Sequence, residues 1–276
     1  MRGAPGLKMP TALVNGGSLY YRECGAGEPL VLVHGTGTSA DVWEKVMFPL
    51  STQRRVLVYD RRGHQRSNGM RPDRNAHYLI HADDLLALLK QAEAMPASIV
   101  GWGSGAFAAL HMALRFPYAV RQLILYEPPF HARREMSWQA FKTSALNKLG
   151  KAVGIPDFGA DQFRRVAMAY CYGDNTFDNL SERLRSSMLK DTAALLHELS
   201  AGTGEELDVA ALAQLQVPVK LLAGQHSPEF FKTPLRRLQS AFPKAPLVTI
   251  PGANHFAHVD CPAAFVRSLG TAMQLQ

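Results

Sequence analysis

Residues 97–115 constrain the fold more than any other stretch. An apolar run, Ala97-Ser98-Ile99-Val100-Gly101, enters a turn of small residues around Gly103-Ser104-Gly105. It leaves as a helical stretch, Ala106 to Arg115. A turn this rich in glycine lets a helix pack directly against the strand that precedes it. Repeated along a chain, such β-then-α units build a parallel sheet covered by helices on both faces.

The rest of the sequence repeats the unit. Ser18–Glu23 alternates like a strand. Pro29–His34 is a continuous apolar run, the signature of a strand buried on both faces, and Arg55–Asp60 reads as another buried strand. Ala40–Leu50 reads as a helix. His77–Ala94 is amphipathic, with Leu79, Leu85, Leu86, Leu88 and Leu89 on its apolar side. Further strands are expected at Val120–Tyr126, Val217–Ala223 and Pro246–Ile250, with helices at Pro234–Phe242 and Cys261–Met273. Between Pro128 and Gln216 the pattern turns helical, at Ala140–Ala152, Asp161–Tyr172, Ser181–Leu189 and Thr192–Ser200. The expectation is an α/β core made of residues 1–128 and 217–276, with a helical cap, 129–216, inserted between two sheet strands.

Composition narrows the partners. The 276 residues carry 30 Lys and Arg against 23 Asp and Glu, a net charge of +7. The basic residues are scattered pairs such as Arg54-Arg55 and Arg133-Arg134, without the run or aromatic signature of a nucleic-acid binder. A small-molecule substrate is expected; an anionic one, or one bound to an acidic carrier, is compatible with this charge. Cys24, Cys171 and Cys261 are odd in number and far apart, and read as reduced thiols. No metal-ligand spacing or phosphate-binding loop is present, so no cofactor is implied. The N-terminus lacks an apolar leader and no stretch reaches membrane-spanning length, so a cytoplasmic protein with no membrane partner is expected.

Four segments carry chemistry. His34-Gly35-Thr36-Gly37 follows a buried strand. Asp60-Arg61-Arg62-Gly63-His64-Gln65-Arg66-Ser67 follows another. Gly101-Trp102-Gly103-Ser104-Gly105 is the strand-to-helix turn, and Pro251-Gly252-Ala253-Asn254-His255-Phe256 lies after the last strand. In this order the chain resembles the α/β-hydrolase superfamily over nearly its whole length. The resemblance implies an oxyanion loop at 34–37, a D-x-R-G-x-G-x-S turn in which Gln65 replaces a glycine, a Gly-x-Nuc-x-Gly nucleophile elbow, and a histidine base at His255. The elbow departs from the pattern. Its nucleophile position is Gly103, which has no side chain, and the nearest hydroxyl, on Ser104, comes one residue late.

A histidine base needs a carboxylate on its other ring nitrogen. The usual acid would stand in Gly224-Gln225-His226-Ser227-Pro228, where Ser227 takes its place. Glu127, after the strand that follows the elbow helix, is the favoured substitute, and Asp260 a weaker one. The backbone N–H groups of Ser104 and Thr36 would form an oxyanion hole. Trp102, His226 and His258 are candidate substrate contacts, as are Tyr170 and Tyr172 in the cap, where epoxide hydrolases of the superfamily carry tyrosines. Without a covalent nucleophile, the first expectation is acid/base catalysis on a substrate that brings its own nucleophile, such as epoxide-opening ring closure or a related lyase or isomerase step. Two alternatives stand beside it. One is an ester, lactone or epoxide hydrolase that uses Ser104 or has an inactivating glycine engineered at 103. The other is a non-catalytic pseudohydrolase that binds a small ligand.

Overall fold

A computed structural model describes residues 7–8, 10–67, 77–129, 180–190 and 212–274. Eight strands form one sheet: β1 (Thr11–Val14), β2 (Gly17–Cys24), β3 (Pro29–Val33), β4 (Arg55–Tyr59), β5 (Ala97–Trp102), β6 (Val120–Tyr126), β7 (Val219–Gly224) and β8 (Leu247–Ile250). Their order is β1-β2-β4-β3-β5-β6-β7-β8. The first two pairings, β1 with β2 and β2 with β4, are antiparallel. All later pairings are parallel.

Among the described residues the α-helices are α1 (Glu44–Ser51), α2 (His77–Gln91), α3 (Gly105–Arg115), α4 (Glu182–Lys190), α5 (Glu229–Ala241), the single turn α6 (Ala257–Asp260) and α7 (Pro262–Gln274). They cover both faces of the sheet, and this explains the unbroken apolar runs. In β3, Val31 and Val33 face a core shared with α2 and α3, while Leu30 and Leu32 face one shared with α1 and α7. In β4, Leu57 and Tyr59 join the first core, and Val56 and Val58 the second. Each alternate side chain is buried, so neither face can be polar.

The elements depart from expectation in three places. Strand β1, four residues with alternate positions exposed, has too short a pattern to stand out from its surroundings. The helix expected over 40–50 begins as a 3-10 turn, Ala40–Trp43, capped by the Ser39 hydroxyl, before α1 starts at Glu44. Helix α5 starts at Glu229 and runs through Pro234, where the sequence suggested a start. Proline is favoured in a first helical turn, but here the turn begins earlier, behind Pro228. Of the expected cap, Pro129, residues 180–190 with α4, and residues 212–216 are described. Its Leu184 and Met188 pack on the α1/α7 core. The other expected cap helices, with Tyr170, Tyr172 and Cys171, lie outside the described residues.

Parallel strands bring the loops after β3, β5, β6, β7 and β8 to one edge of the sheet. In an open α/β sheet the crevice at the carboxyl ends of the strands is where ligands bind.

Candidate active site

The elbow is built by close approach. A Cβ on Gly105 would stand 2.5 Å from the backbone oxygens of Val33 and His34, and one on Gly101 2.5 Å from Ala106 Cα. Between them Gly103 sits at φ +54°, in the left-handed region. There a Cβ would meet only ordinary contacts: His255 Nε2 at 3.6 Å and Gly35 Cα at 3.7 Å. Position 103, where the sequence placed the nucleophile, thus faces the histidine, and its neighbours leave room for a side chain.

His255 follows β8, 1% exposed. Its Nδ1 lies 2.5 Å from Glu127 Oε2. A carboxylate only accepts, so Nδ1 carries the proton and Nε2, facing Gly103, is the basic nitrogen. Glu127 is fully buried just past β6, and its Oε1 accepts a hydrogen bond from the Gly224 amide at 2.8 Å. Its backbone is held at φ +44°, a conformation that costs a non-glycine residue about 1–3 kcal/mol. Burial lowers the His255 pKa below its ordinary value, and the Glu127 carboxylate opposes that shift. The imidazole is therefore neutral at neutral pH, the form a base requires.

His255 is held through both its ring and its backbone. Phe231, from α5, stacks on its face at 3.6 Å between centroids with planes 6° apart. The Trp102 indole N–H donates to the His255 carbonyl at 3.0 Å. The Tyr126 hydroxyl also donates to that carbonyl, at 2.7 Å, and accepts from the Ala257 amide at 3.0 Å. Burial, reinforced by the Glu127 charge, pushes the Tyr126 phenol well above its ordinary pKa, so it keeps its proton.

Several sequence expectations need correction here. Trp102 is 1% exposed and His258 0%, as buried as His255 itself. His258 sits in an aromatic box, 4.4 Å from the Trp102 ring and 4.5 Å from Trp43, with Phe256 and Phe265 nearby. His226 is exposed, and only its amide, bonded to the Ala253 carbonyl, ties it to the site. Asp260 is exposed, and Nδ1 of His255 is taken by Glu127. Ser227, at the usual acid position, is buried, and its Oγ has no hydrogen-bond partner among the described residues.

Ser104 is buried at the start of α3. Its Oγ accepts from Thr36 Oγ1 at 2.7 Å and from Arg61 Nη2 at 3.3 Å. Arg61 is the residue that sequence reasoning missed. It occupies a variable position of the Asp60–Ser67 turn, whose expected arginine, Arg62, pairs instead with Asp84 at 2.6 Å. Its only sequence signal was a second arginine beside the first. Gln65, at φ +36° where a glycine was expected, donates its side-chain amide to the Ser187 carbonyl of α4.

A profile described as the alpha/beta hydrolase family matches residues 30–268. The chain belongs to the alpha/beta hydrolase family. It is 30% identical over 217 residues to a pimeloyl-[acyl-carrier protein] methyl ester esterase of Vibrio atlanticus, covering 75% of this chain and 80% of that one. It is 25% identical over 262 residues to 2-(acetamidomethylene)succinate hydrolase of Mesorhizobium japonicum, covering 91% and 90%. A crystal structure of a hydrolase from Pseudomonas aeruginosa PA01 superposes with a TM-score of 0.78 at 22% identity, covering 99% of this chain and all of that one. These relatives overturn the first functional expectation. They are named as hydrolases and esterases, and none of the three is a cyclase, lyase or epoxide-opening enzyme. Among the described residues of this alpha/beta hydrolase, no helix is long and apolar enough to cross a membrane.

Proposed function

We propose that this alpha/beta hydrolase cleaves a small-molecule ester or lactone, with water as the direct nucleophile. The observation that carries the reading is the alignment of a neutral, Glu127-bound His255 with the side-chain-free Gly103. His255 Nε2 takes a proton from water as the water oxygen attacks the substrate carbonyl carbon. The backbone N–H groups of Ser104 and Thr36 receive the oxyanion. Collapse of the tetrahedral intermediate breaks the bond to the leaving oxygen, which takes the proton back from Nε2. Acid and alcohol leave, and no acyl group is ever attached to the protein. The excess of basic residues supports an acyl group that is itself anionic or carried on an acidic partner.

The test is a single turnover of a chromogenic ester in H2(18)O with enzyme in excess. One labelled oxygen is expected in the product acid, with no burst and no acylated peptide by mass spectrometry. Glu127→Gln should lower kcat by roughly 10³–10⁴-fold, as loss of an orienting carboxylate does elsewhere. The rate should rise with pH through an apparent pKa below about 6.5, the ordinary histidine value. Absence of any ester or lactone turnover, an acyl group found on Ser104, or full activity in His255→Ala would each overturn the reading.

A further inference from the structure

The Ser104 hydroxyl and the Arg61 side chain form a connection between the two halves of the oxyanion site. One donor, the Thr36 amide, is on the loop after β3. The other, the Ser104 amide, is at the elbow after β5. β3 and β5 pair as far as Val33 and Gly101, and beyond that register side chains add to the link between the two segments. Thr36 Oγ1 donates to Ser104 Oγ at 2.7 Å and so ties the loop to the elbow directly.

Arg61 ties them a second time. Its Nη2 donates to Ser104 Oγ at 3.3 Å, and its Nε donates to the His34 carbonyl at 2.9 Å. Its backbone amide donates to His34 Nε2 at 2.9 Å. That bond makes Nε2 of His34 the acceptor nitrogen, so Nδ1 carries the proton and donates to the Gly35 carbonyl at 2.9 Å. Thr38 Oγ1 donates to the same carbonyl at 2.8 Å. The loop 34–38 is thereby fixed from within, and Arg61 fixes it to the elbow. Arg61 is 0% exposed and Ser104 2%, so water does not compete for these bonds and their geometry is maintained.

We propose that Arg61, acting through Ser104 Oγ, is a positioning residue that sets the distance between the two oxyanion N–H donors, and that the Ser104 hydroxyl is part of this clip and not a nucleophile. The inference rests on the hydrolytic reading for its catalytic meaning, but its geometry can be read without turnover. Donors fixed in place before the reaction stabilise charge that develops only in the transition state. Loosening them lowers kcat and leaves substrate binding alone.

The experiment compares Ser104→Ala, Thr36→Val, Arg61→Lys and Arg61→Met with the parent protein, after melting curves show which variants fold. Two non-covalent ligands report separately on the site. A tetrahedral phosphonate monoester anion mimics the intermediate, and a planar ketone of the same shape mimics the substrate. Ser104→Ala and Arg61→Met should each weaken the phosphonate roughly 10–100-fold, the range of one displaced oxyanion donor or slightly less. Ketone affinity should change less than threefold. Arg61→Lys, which keeps the charge and loses the fork, should resemble Arg61→Met. In turnover, kcat should fall in step with phosphonate affinity, with KM and the acid limb of the pH profile unchanged.

Equal weakening of both ligands, or no effect on either, overturns the clip. A loss of turnover beyond about 10³-fold in Ser104→Ala, with phosphonate affinity intact, would make Ser104 the nucleophile and also overturn it; such a loss marks removal of a reacting group. If the parent turns over no ester, the hydrolytic reading fails, and the two-ligand comparison still decides the clip. Should Arg61→Met not fold, Ser104→Ala, a small change at a single buried hydroxyl, carries the decision.

Discussion

Replacing Gly103 with serine tests the geometry of the site with one hydroxyl. A Cβ there would lie 3.6 Å from His255 Nε2 and 3.7 Å from Gly35 Cα, both ordinary contacts. The added side chain therefore meets no backbone wall, and its Oγ, one bond further out, can come within hydrogen-bond reach of Nε2. The cost is conformational. At φ +54° a residue with a Cβ pays roughly 1–2 kcal/mol that glycine does not. In a chain of this size that corresponds to a fall in melting temperature of about 2–8 °C. In return, the variant gains a serine paired with a neutral histidine and a buried carboxylate, the arrangement that activates a hydroxyl. Gly103→Ser should react stoichiometrically with a fluorophosphonate, shown by the mass of the intact protein and mapped to residue 103. It should also show a burst of product from an activated ester. The parent should show neither, and adding His255→Ala to the variant should abolish the labelling. If the folded variant stays unlabelled, the inferred alignment of residue 103 with Nε2 is wrong. If the parent is labelled at Ser104, the water mechanism is wrong.

Two further outcomes follow from buried charge. His255 and His258 both have pKa values pulled below the ordinary histidine value by burial, His258 strongly so, with the neighbouring His255 adding to it. The unfolded chain then binds protons that the folded one refuses. Stability is full above about pH 6.5 and falls below it by up to about 1.4 kcal/mol per pH unit for each histidine. Melting temperature should therefore drop steadily between pH 7 and 5, and His258→Phe should flatten that decline; an unchanged slope would remove His258 as a cause. At the other end of the site, Arg62 and Asp84 form a bidentate pair at 2.6 Å, with the Asp84 side chain 1% exposed. Asp84→Asn should cost about 3–5 kcal/mol in urea unfolding, because it strands a buried guanidinium; a loss under about 1 kcal/mol would show that the pair is solvated.

Much of the architecture was legible because it is local. The runs that became β3, β4, β5 and β6 are mostly apolar on both faces, as a strand covered on both sides requires. Glu127 stands just beyond β6 and His255 in the loop after β8, and those positions made them candidates. Legibility failed where the pattern was short, as in β1, or where a proline could lie inside a helix as well as at its start, as in α5. It failed also for Arg61, whose side chain reaches Ser104 Oγ from another loop, a contact that spacing along the chain does not record.

The sequence by itself determined the family, the order of the βα units, and the absence of a side chain at the elbow. These depend on residue type and on spacing along the chain. Only the tertiary structure decided that Glu127, 128 residues away, pairs with His255, where Ser227 stands at the usual acid position. It also decided that the Ser104 hydroxyl is engaged by Thr36 and Arg61. Those choices depend on which rotamer each side chain takes when three or four loops meet at one edge of the sheet. Energies of about 1 kcal/mol per hydrogen bond select among them, and no periodicity in the chain records that selection.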